Sequence, residues 1–274
     1  MRLPVFIGLH AQTPGWFRRL LGLLPFLLLL AIYLLASHFR LADNPDDKLL
    51  PSLGQMYDAI VRMAFTADAR SGEYLLWADT LASLRRLALG VSAAAFVGLF
   101  LGLNMGLFPA ARHLFLPMTT FVSIIPPLAI LPILFITFGV EEFAKIMLIF
   151  IGTFPLITRD IYQAALATPV EQVTKALTLG ASPLQVVYRV ALPQLMPRLI
   201  ETLRLALGGA WLFLIAAEAI ASTDGLGYRI FLVRRYLAMD VIIPYVLWIA
   251  LLGLTFDRLL QVYSHWRYHW YYKK

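Results

Sequence analysis

The stretch VTKALTLGASPLQVVYRVALP, residues 173–193, is only moderately polar and lies between two strongly apolar blocks. It predicts a helix, a glycine break and a second helix. Gly180 can adopt the left-handed conformation that ends a helix, and Ser182 can cap the next helix, whose first turn tolerates a proline. Pro193 and Pro197 are expected to mark the exit from the second helix. Such a hairpin is either an ordinary loop or a surface presented to a partner in water.

The composition indicates a protein with several membrane spans. Of its 274 residues, 60% are hydrophobic and 14% are charged, and the mean hydropathy is +0.76. Soluble domains are about half apolar and a quarter charged. The net charge of +7 comes mostly from cations at the ends of apolar runs, which favours membrane lipid over nucleic acid as a partner. The absence of cysteine excludes disulfides and thiolate metal sites.

Apolar runs of spanning length predict an all-α, polytopic membrane protein with about six transmembrane helices. They cover residues 20–38, 83–107, 115–138, 143–166, 198–220 and 241–262. The first run follows Arg18 and Arg19, as a signal peptide would. It is longer than the usual apolar region of such a peptide and lacks a clear A-x-A cleavage site, so it predicts an uncleaved first span.

Glycine and proline patterns indicate how two of these spans pack. Gly98, Gly102 and Gly106 form a ridge that lets two helix backbones approach closely. Pro126, Pro127 and Pro132 interrupt the third span. This interruption is either a tolerated kink or the bend of a helix that lines a cavity.

The segment of about residues 40–80 is too polar to span a membrane. Ser52 and Gln55 form a capping-box pattern, and apolar residues follow at helical spacing. We expect a short amphipathic helix that lies on the outer membrane surface or packs on the protein.

Charged residues inside the predicted spans are candidates for function. Glu201 and Arg204 have the i,i+3 spacing of an ion pair near the start of the fifth span. Glu218 lies roughly 21 Å further along that helix, toward its outer end. It is either at the mouth of a cavity, or exposed to outer water, or in a structural role with Arg229 or the turn at 223–227.

Catalytic and metal-binding motifs are lacking. No G-x-x-x-x-G-K-[ST] phosphate loop occurs, so the chain is not an ATPase, and no nucleophile–base arrangement indicates an enzyme. His265 and His269 have the i,i+4 spacing of some metal ligands, but no third ligand lies nearby. They belong to an aromatic and basic tail typical of the inner membrane interface, and we expect no metal site.

The 173–193 stretch resembles the cytoplasmic EAA loop of ABC-importer permeases. Thr174 and Lys175 replace the glutamate and the first alanine of that pattern. The positions in register are Ala176, Gly180, Val190, Leu192 and Pro193.

A wider resemblance supports this one. Residues 125–146, 210–220 and 225–230 look like the nitrate/sulfonate/taurine permease family, and the resemblance covers roughly residues 81–260. Within the family the chain looks most like permeases found with urea-carboxylase systems.

The resemblance implies a type I ABC-importer permease fold and a membrane-spanning subunit of a binding-protein-dependent importer in the inner membrane. Its partners would be an external solute-binding protein, a second identical copy, and two copies of a separate ATPase at the cytoplasmic hairpins. That ATPase binds the ATP, and no other cofactor is implied. Solute would cross by ATP-driven alternating access.

The resemblance also implies site residues and a domain organisation. A first transmembrane helix and an outer amphipathic segment occupy residues 1–80, and the core permease domain occupies 81–274, with both termini cytoplasmic and a coupling loop near 167–197. The ATPase-coupling candidates are Ala176, Gly180, Ala181, Ser182, Pro183, Leu192 and Pro193. The translocation-path candidates are Ser123, Pro126, Pro127 and Glu218.

The alternative interpretations are an ion-coupled secondary transporter and a non-transport membrane enzyme or scaffold. The first predicts inverted repeats and several buried ionisable residues, and the second predicts polar catalytic clusters in the spans. We find no convincing sign of either. Nitrate, sulfonates, bicarbonate and urea- or guanidine-like compounds all remain possible substrates.

Overall fold

The computed structural model describes residues 14–45, 47–69 and 71–272, and every regular element within them is helical, as predicted. A 3₁₀ turn covers Pro127–Ile130 and a π-helical turn covers Val186–Ala191. The α-helices are α1 Gly15–Asp43, α2 Leu53–Phe65, α3 Leu75–Leu107, α4 Pro109–Ile124, α5 Leu131–Phe138, α6 Glu142–Leu166, α7 Val170–Thr178, α8 Pro183–Gln185, α9 Leu192–Ile220, α10 Leu226–Arg234, α11 Met239–Arg267 and α12 His269–Tyr272.

Four helical segments in the described part of the chain are long and apolar enough to cross a membrane, and the bent pair α4–α5 brings the count to five. The four are α1, α3, the continuous segment Pro183–Ile220, and α11. The predicted count of about six included 143–166, which forms α6. This helix carries polar groups such as Lys145 and Asp160 that are paired inside the protein. The second predicted span begins earlier than residue 83, because α3 starts at Leu75.

The predicted glycine ridge is a contact between α3 and α6. A Cβ atom on Gly102 would lie 2.6 Å from the carbonyl oxygen of Thr158, and one on Gly106 would lie 2.3 Å from Cβ of Ala165. Gly98 meets Ile157 in the same way. Residue numbers rise together along the contact, so the two helices are parallel and their C-terminal ends lie at the same side of the protein.

Charged and polar side chains join α3, α6 and α9 in one layer, and α6 and α9 in a second layer. Arg86 and Glu218 belong to one layer, and Asp160 and Thr202 belong to the other. At the helical rise of 1.5 Å per residue, the layers are about 24 Å apart along α9. That separation is somewhat less than the roughly 30 Å of a bilayer's hydrocarbon core.

The third predicted span is broken rather than gently bent. The axes of α4 and of the segment Pro127–Phe138 differ by 86°. Ile125 precedes a proline and is extended (φ −70°, ψ 122°), as the proline ring requires, so α4 ends at Ile124. Pro126 and Pro127 form this break.

The expected helix exit at Pro193 is wrong. Proline lacks the N–H that a helix interior needs, but Pro193 lies in the first turn of α9 and follows a π-helical turn. In that turn the backbone N–H of Leu192 donates to the carbonyl of Val187, five residues back. The wider turn shifts the hydrogen-bond register, so the missing N–H of Pro193 does not end the helix. The helix continues through the buried Pro197.

The helix predicted after Ser52 is α2, with its capping box formed in both directions. Met56, Ala59 and Ala64 are buried against neighbouring helices. The indole N–H of Trp77 in α3 donates to the Ala64 carbonyl at 3.1 Å. Of the two expected placements, α2 therefore takes the one packed on the protein.

Candidate functional site

The hairpin between α6 and α9 has the predicted turn. Gly180 has φ +86°, and its N–H donates to the Leu177 carbonyl at 3.0 Å. The N–H of Ala181 donates to the Ala176 carbonyl at 3.0 Å, which completes a Schellman motif. Ser182 and Gln185 then form a reciprocal capping box with distances of 3.3 and 2.9 Å. These local bonds give the turn a defined shape without tertiary support.

The hairpin presents apolar side chains to its surroundings. Leu179 is 80% exposed, Val170 is 72% exposed and Leu184 is 60% exposed. Val186 and Val187 are buried and anchor the base of the hairpin. An exposed apolar patch on a well-formed turn is typical of a protein interaction surface.

The structure divides the predicted coupling residues between two places. The positions from Ala176 to Pro183 lie together around the turn. Leu192 and Pro193 lie beyond the π-helical turn, in the first turn of α9. They belong to the base of the hairpin rather than to its tip.

Arg86 is the centre of the first charged layer. Its side chain is 1% exposed. Its guanidinium donates to both carboxylate oxygens of Glu142 at 2.7 and 2.6 Å, to Glu218 at 2.8 Å, and to the side chain of Asp224. One arginine therefore joins α3, α6, α9 and the turn before α10.

Glu218, a predicted path residue, is 0% exposed. Its carboxylate accepts hydrogen bonds from Ser83 at 2.8 Å and from the backbone N–H of Gly227 at 2.8 Å, besides the bond from Arg86. Glu218 thus caps the turn at 223–227, which was one of the structural roles predicted for it. Its ion-pair partner is Arg86 and not Arg229.

Asp79 holds the same turn from the other side. It accepts hydrogen bonds from Arg229 at 2.8 Å, from the backbone N–H of Gly225 at 3.0 Å, and from the Tyr245 hydroxyl at 3.2 Å. Burial alone would lower the pKa of Arg229, but the hydrogen bonds and charge of Asp79 raise it above its ordinary value. The guanidinium therefore stays charged.

Sequence reasoning missed Asp79, Ser83 and Arg86 as a group. Their i, i+4, i+7 spacing on a helix was the available signal, because it places all three side chains on one face.

A polar cavity of about 200 Å³ lies between α3, α4 and α6. Ser123, a predicted path residue, lines it close to the break at Pro126 and Pro127. Its other polar lining residues are Thr119, Thr120, Arg159, Tyr162 and Gln163. The cavity thus brings Ser123 together with an arginine that sequence reasoning did not select.

The predicted pair of Glu201 and Arg204 is wrong. Arg204 donates to Asp257 of α11 at 2.7 and 3.1 Å. Glu201 instead lies 3.7 Å from Arg198 and accepts a hydrogen bond from the Tyr272 hydroxyl at 3.1 Å. Arg204 thus pairs with another helix, while the i,i+3 partner of Glu201 is the preceding Arg198 of its own helix and not Arg204.

A helical bundle with several candidate membrane spans, a broken helix, a polar cavity and an exposed hairpin has the architecture of a helical membrane transport subunit. Residues 94–266 match the family described as the inner membrane component of binding-protein-dependent transport systems. The chain belongs to this family. It is the permease subunit of an ABC importer, and it is not an enzyme.

Curated relatives agree with this membership. The chain is 36% identical over 183 residues to a probable ABC transporter permease protein of Brucella melitensis. The aligned residues cover 67% of the chain and 74% of the relative. It is 35% identical over 182 residues to the taurine transport system permease protein TauC of Escherichia coli, covering 66% of each. It is 32% identical over 193 residues to the bicarbonate transport system permease protein CmpB of Synechococcus elongatus, covering 70% of the chain and 69% of the relative. The resemblance to the nitrate/sulfonate/taurine family is confirmed.

The fold is also that of a solved permease. The chain superposes on a chain of the inward-facing MetNI methionine ABC transporter with a TM-score of 0.57 and 20% identity, covering 71% of this chain and 99% of that one. The predicted type I ABC-importer permease fold is therefore confirmed. Membership of the family implies ATPase and solute-binding protein partners.

Proposed function

We propose that two copies of this chain form the transmembrane part of the importer and that residues 167–197 dock a separate ATPase on the cytoplasmic side. The observation that carries the proposal is the exposed apolar side chain of Leu179 beside the closed turn at Gly180. An apolar side chain that is 80% exposed costs free energy in water and gains it when a partner covers it.

The hairpin is well placed to transmit movement. It joins α6 directly to the continuous segment Pro183–Ile220. Asp160 and Arg198 connect these two elements near its base at 2.7 and 2.5 Å. ATP bound by the partner would bring two hairpins together and turn the dimer from inward- to outward-facing.

This placement sets the proposed topology. Because α3 and α6 are parallel, a cytoplasmic hairpin puts the C-terminal ends of both helices inside. The chain then returns outward through α9 and inward through α11, so its C-terminus is cytoplasmic, and α1 starts from the cytoplasm. The layer around Arg86 lies at the outer side.

The translocated solute is proposed to be a small polar compound that contains nitrogen, sulfur or a carboxyl group. Taurine and bicarbonate are named for two relatives. The proposed path includes the cavity lined by Ser123 and the break at Pro126 and Pro127, whose polar walls suit such a solute. The full burial of Glu218 argues for its turn-capping role rather than for contact with solute. An ion-coupled transporter is not favoured by any of these observations.

The docking proposal is tested with Leu179→Asp and a matched control. The control is Val140→Asp, because Val140 is also exposed and apolar but lies next to the opposite charged layer. Both variants are co-expressed with the ATPase and purified through a tag on the permease. We expect Leu179→Asp to insert but lose the ATPase, while Val140→Asp retains it. Equal retention by both variants would refute docking at the hairpin.

A further inference from the structure

An apolar groove of about 470 Å³ lies between α2, α3 and α11. It is separate from the polar cavity near Ser123, because no described residue of α4 or α6 lines it. Its floor consists of buried apolar side chains, among them Met56, Leu76 and Val241. A concave apolar surface of this size gains free energy when an apolar partner covers it.

The polar atoms of the groove walls are already used inside the protein. The indole N–H groups of Trp77 and Trp248 donate to a backbone carbonyl of α2 and to a threonine hydroxyl of α3, at 3.1 and 2.9 Å. The Tyr245 hydroxyl donates to Asp79 at 3.2 Å. The remaining lining side chain with a nitrogen or oxygen atom, Tyr57, is 67% exposed. Water needs two to four polar partners to be held in such a place, so these walls favour an apolar occupant.

The groove continues the lipid-facing surface of α11. This helix is long and apolar enough to span a bilayer, so its exposed apolar side chains contact lipid. Leu247 and Leu251 line the groove, and Leu254 continues the same face of the helix beyond it. All three are more than half exposed. Because the groove is continuous with this face, its occupant comes from the bilayer, whose apolar groups are acyl chains.

We propose that the groove binds one acyl chain of a membrane phospholipid as a structural ligand. A volume of about 470 Å³ corresponds to roughly sixteen groups of the size of a water molecule, at about 30 Å³ each. A methylene group is of similar size, so the groove accommodates a chain as long as those of common membrane phospholipids. The walls bind the chain by burial and packing alone, so the site reads the length of the chain and not the headgroup.

The first helix is the other apolar element that could cover the groove. It ends close by, since the Tyr33 hydroxyl donates to the Pro51 carbonyl at 2.6 Å, but none of its described residues lines the groove. An α-helix is about 10–12 Å wide with its side chains, so this volume would take in only about one turn of it. A single acyl chain fits the space better than a helix does.

An acyl chain in the groove would support the layer around Arg86. The wall residue Tyr245 is bonded to Asp79, which also accepts hydrogen bonds from Arg229 and from the backbone N–H of Gly225. Loss of the chain removes packing behind this wall and therefore loosens the turn at 223–227. The bound chain thus contributes to the stability of the folded protein.

The test compares Leu247→Trp with Leu254→Trp. The two leucines are equally exposed on the same face of α11, but only Leu247 lines the groove. Full-length chains are purified in a steroidal detergent, which has no acyl chain, and washed until bulk lipid is removed. Native mass spectrometry then measures the phospholipid retained per chain. We expect the wild type and Leu254→Trp to retain one phospholipid and Leu247→Trp to lose it, because the indole fills the groove. Ile60→Trp is a second blocking variant if Leu247→Trp does not fold.

Lipid added back to fully delipidated protein tests the selectivity for chain length. Phosphatidylcholine with palmitoyl chains should raise the melting temperature of the wild type and of Leu254→Trp. Phosphatidylcholine with decanoyl chains should raise it much less, because it leaves part of the groove empty. Phosphatidylglycerol with palmitoyl chains should act like the palmitoyl phosphatidylcholine, and Leu247→Trp should not respond to any of them.

Four outcomes would overturn the proposal. They are the absence of retained phospholipid in the wild type, equal retention by the two tryptophan variants, and a melting temperature that follows the headgroup and not the chain. The fourth is a cross-link in membranes between Ile60→Cys and Leu29→Cys of α1, which would show that a helix covers the groove. The native chain has no cysteine, so such a cross-link is unambiguous. None of these measurements involves the ATPase or a solute, so their result is independent of the proposed function.

Discussion

Arg86 of α3 donates to Glu218 of α9 at 2.8 Å, and both side chains are almost completely buried. The pair joins the two helices at the layer opposite the hairpin. A buried ion pair of this kind adds little net stability, but removing one partner leaves an uncompensated buried charge. The consequences can be measured.

Glu218→Gln should destabilise the protein by about 3 kcal/mol, and Arg86→Met should have a larger effect because it leaves three carboxylates without their shared cation. The measurement is the apparent melting temperature in detergent, together with the yield of assembled protein. Glu141→Gln is the control, because it makes the same chemical change at an exposed position. Equal stability of Glu218→Gln and Glu141→Gln would contradict the structural role of Glu218.

Gly102→Leu should destabilise the contact between α3 and α6. The new side chain would have to occupy the position of the Thr158 carbonyl, so the helices must separate, at a cost of about 3 kcal/mol. Gly22→Leu is a matched control, because a Cβ atom on Gly22 meets no atom within 4 Å. The melting temperature in detergent should fall for the first variant alone. A similar change in both would mean that the substitution acts through the membrane environment rather than through packing.

Gly180→Val should abolish association with the ATPase. A β-branched residue is strained at φ +86°, and the Schellman bonds that define the turn would be lost. Gly180→Asn should retain more association, because asparagine tolerates the left-handed region. Co-purification and ATP turnover of the complex measure both effects. If valine and asparagine behaved alike, backbone conformation at this position would not control docking.

The proposed topology predicts opposite labelling of two cysteines. Leu184→Cys on the hairpin should be protected from a membrane-impermeant maleimide in intact cells and labelled after permeabilisation. Thr223→Cys, next to the layer around Arg86, should be labelled in intact cells. Both positions are exposed in the structure, and the chain is expressed without the ATPase, so protection reflects the side of the membrane and not a docked partner. Labelling of Leu184→Cys in intact cells would reverse the orientation.

Local features of this fold could be predicted from the sequence, and tertiary pairings could not. The bonds around Gly180 and Ser182 join residues three to five apart, so the residue types nearly determine them. The glycine ridge could be predicted from the sequence because only glycine allows two helix backbones to approach so closely. The partners of Arg86 lie 56, 132 and 138 residues away, and no spacing rule connects them.

Pro193 illustrates a further limit. Its effect depends on the hydrogen-bond register of the preceding turn, which the residue types around it do not reveal. The cavity at Ser123 was predicted only in part for the same reason. Its arginine comes from α6, and the alignment of α6 with α4 follows from packing that involves α3.

The tight contact between α3 and α6 determines which wall of the cavity can shift. Backbone and side-chain atoms of α6 fill the space beside Gly98, Gly102 and Gly106 of α3. The two helices therefore form a rigid unit. The helix α4 packs against them less extensively and ends freely at a proline break. If the cavity widens or narrows around a solute, we expect α4 to move relative to the rigid unit of α3 and α6, with the break after Ile124 as the hinge.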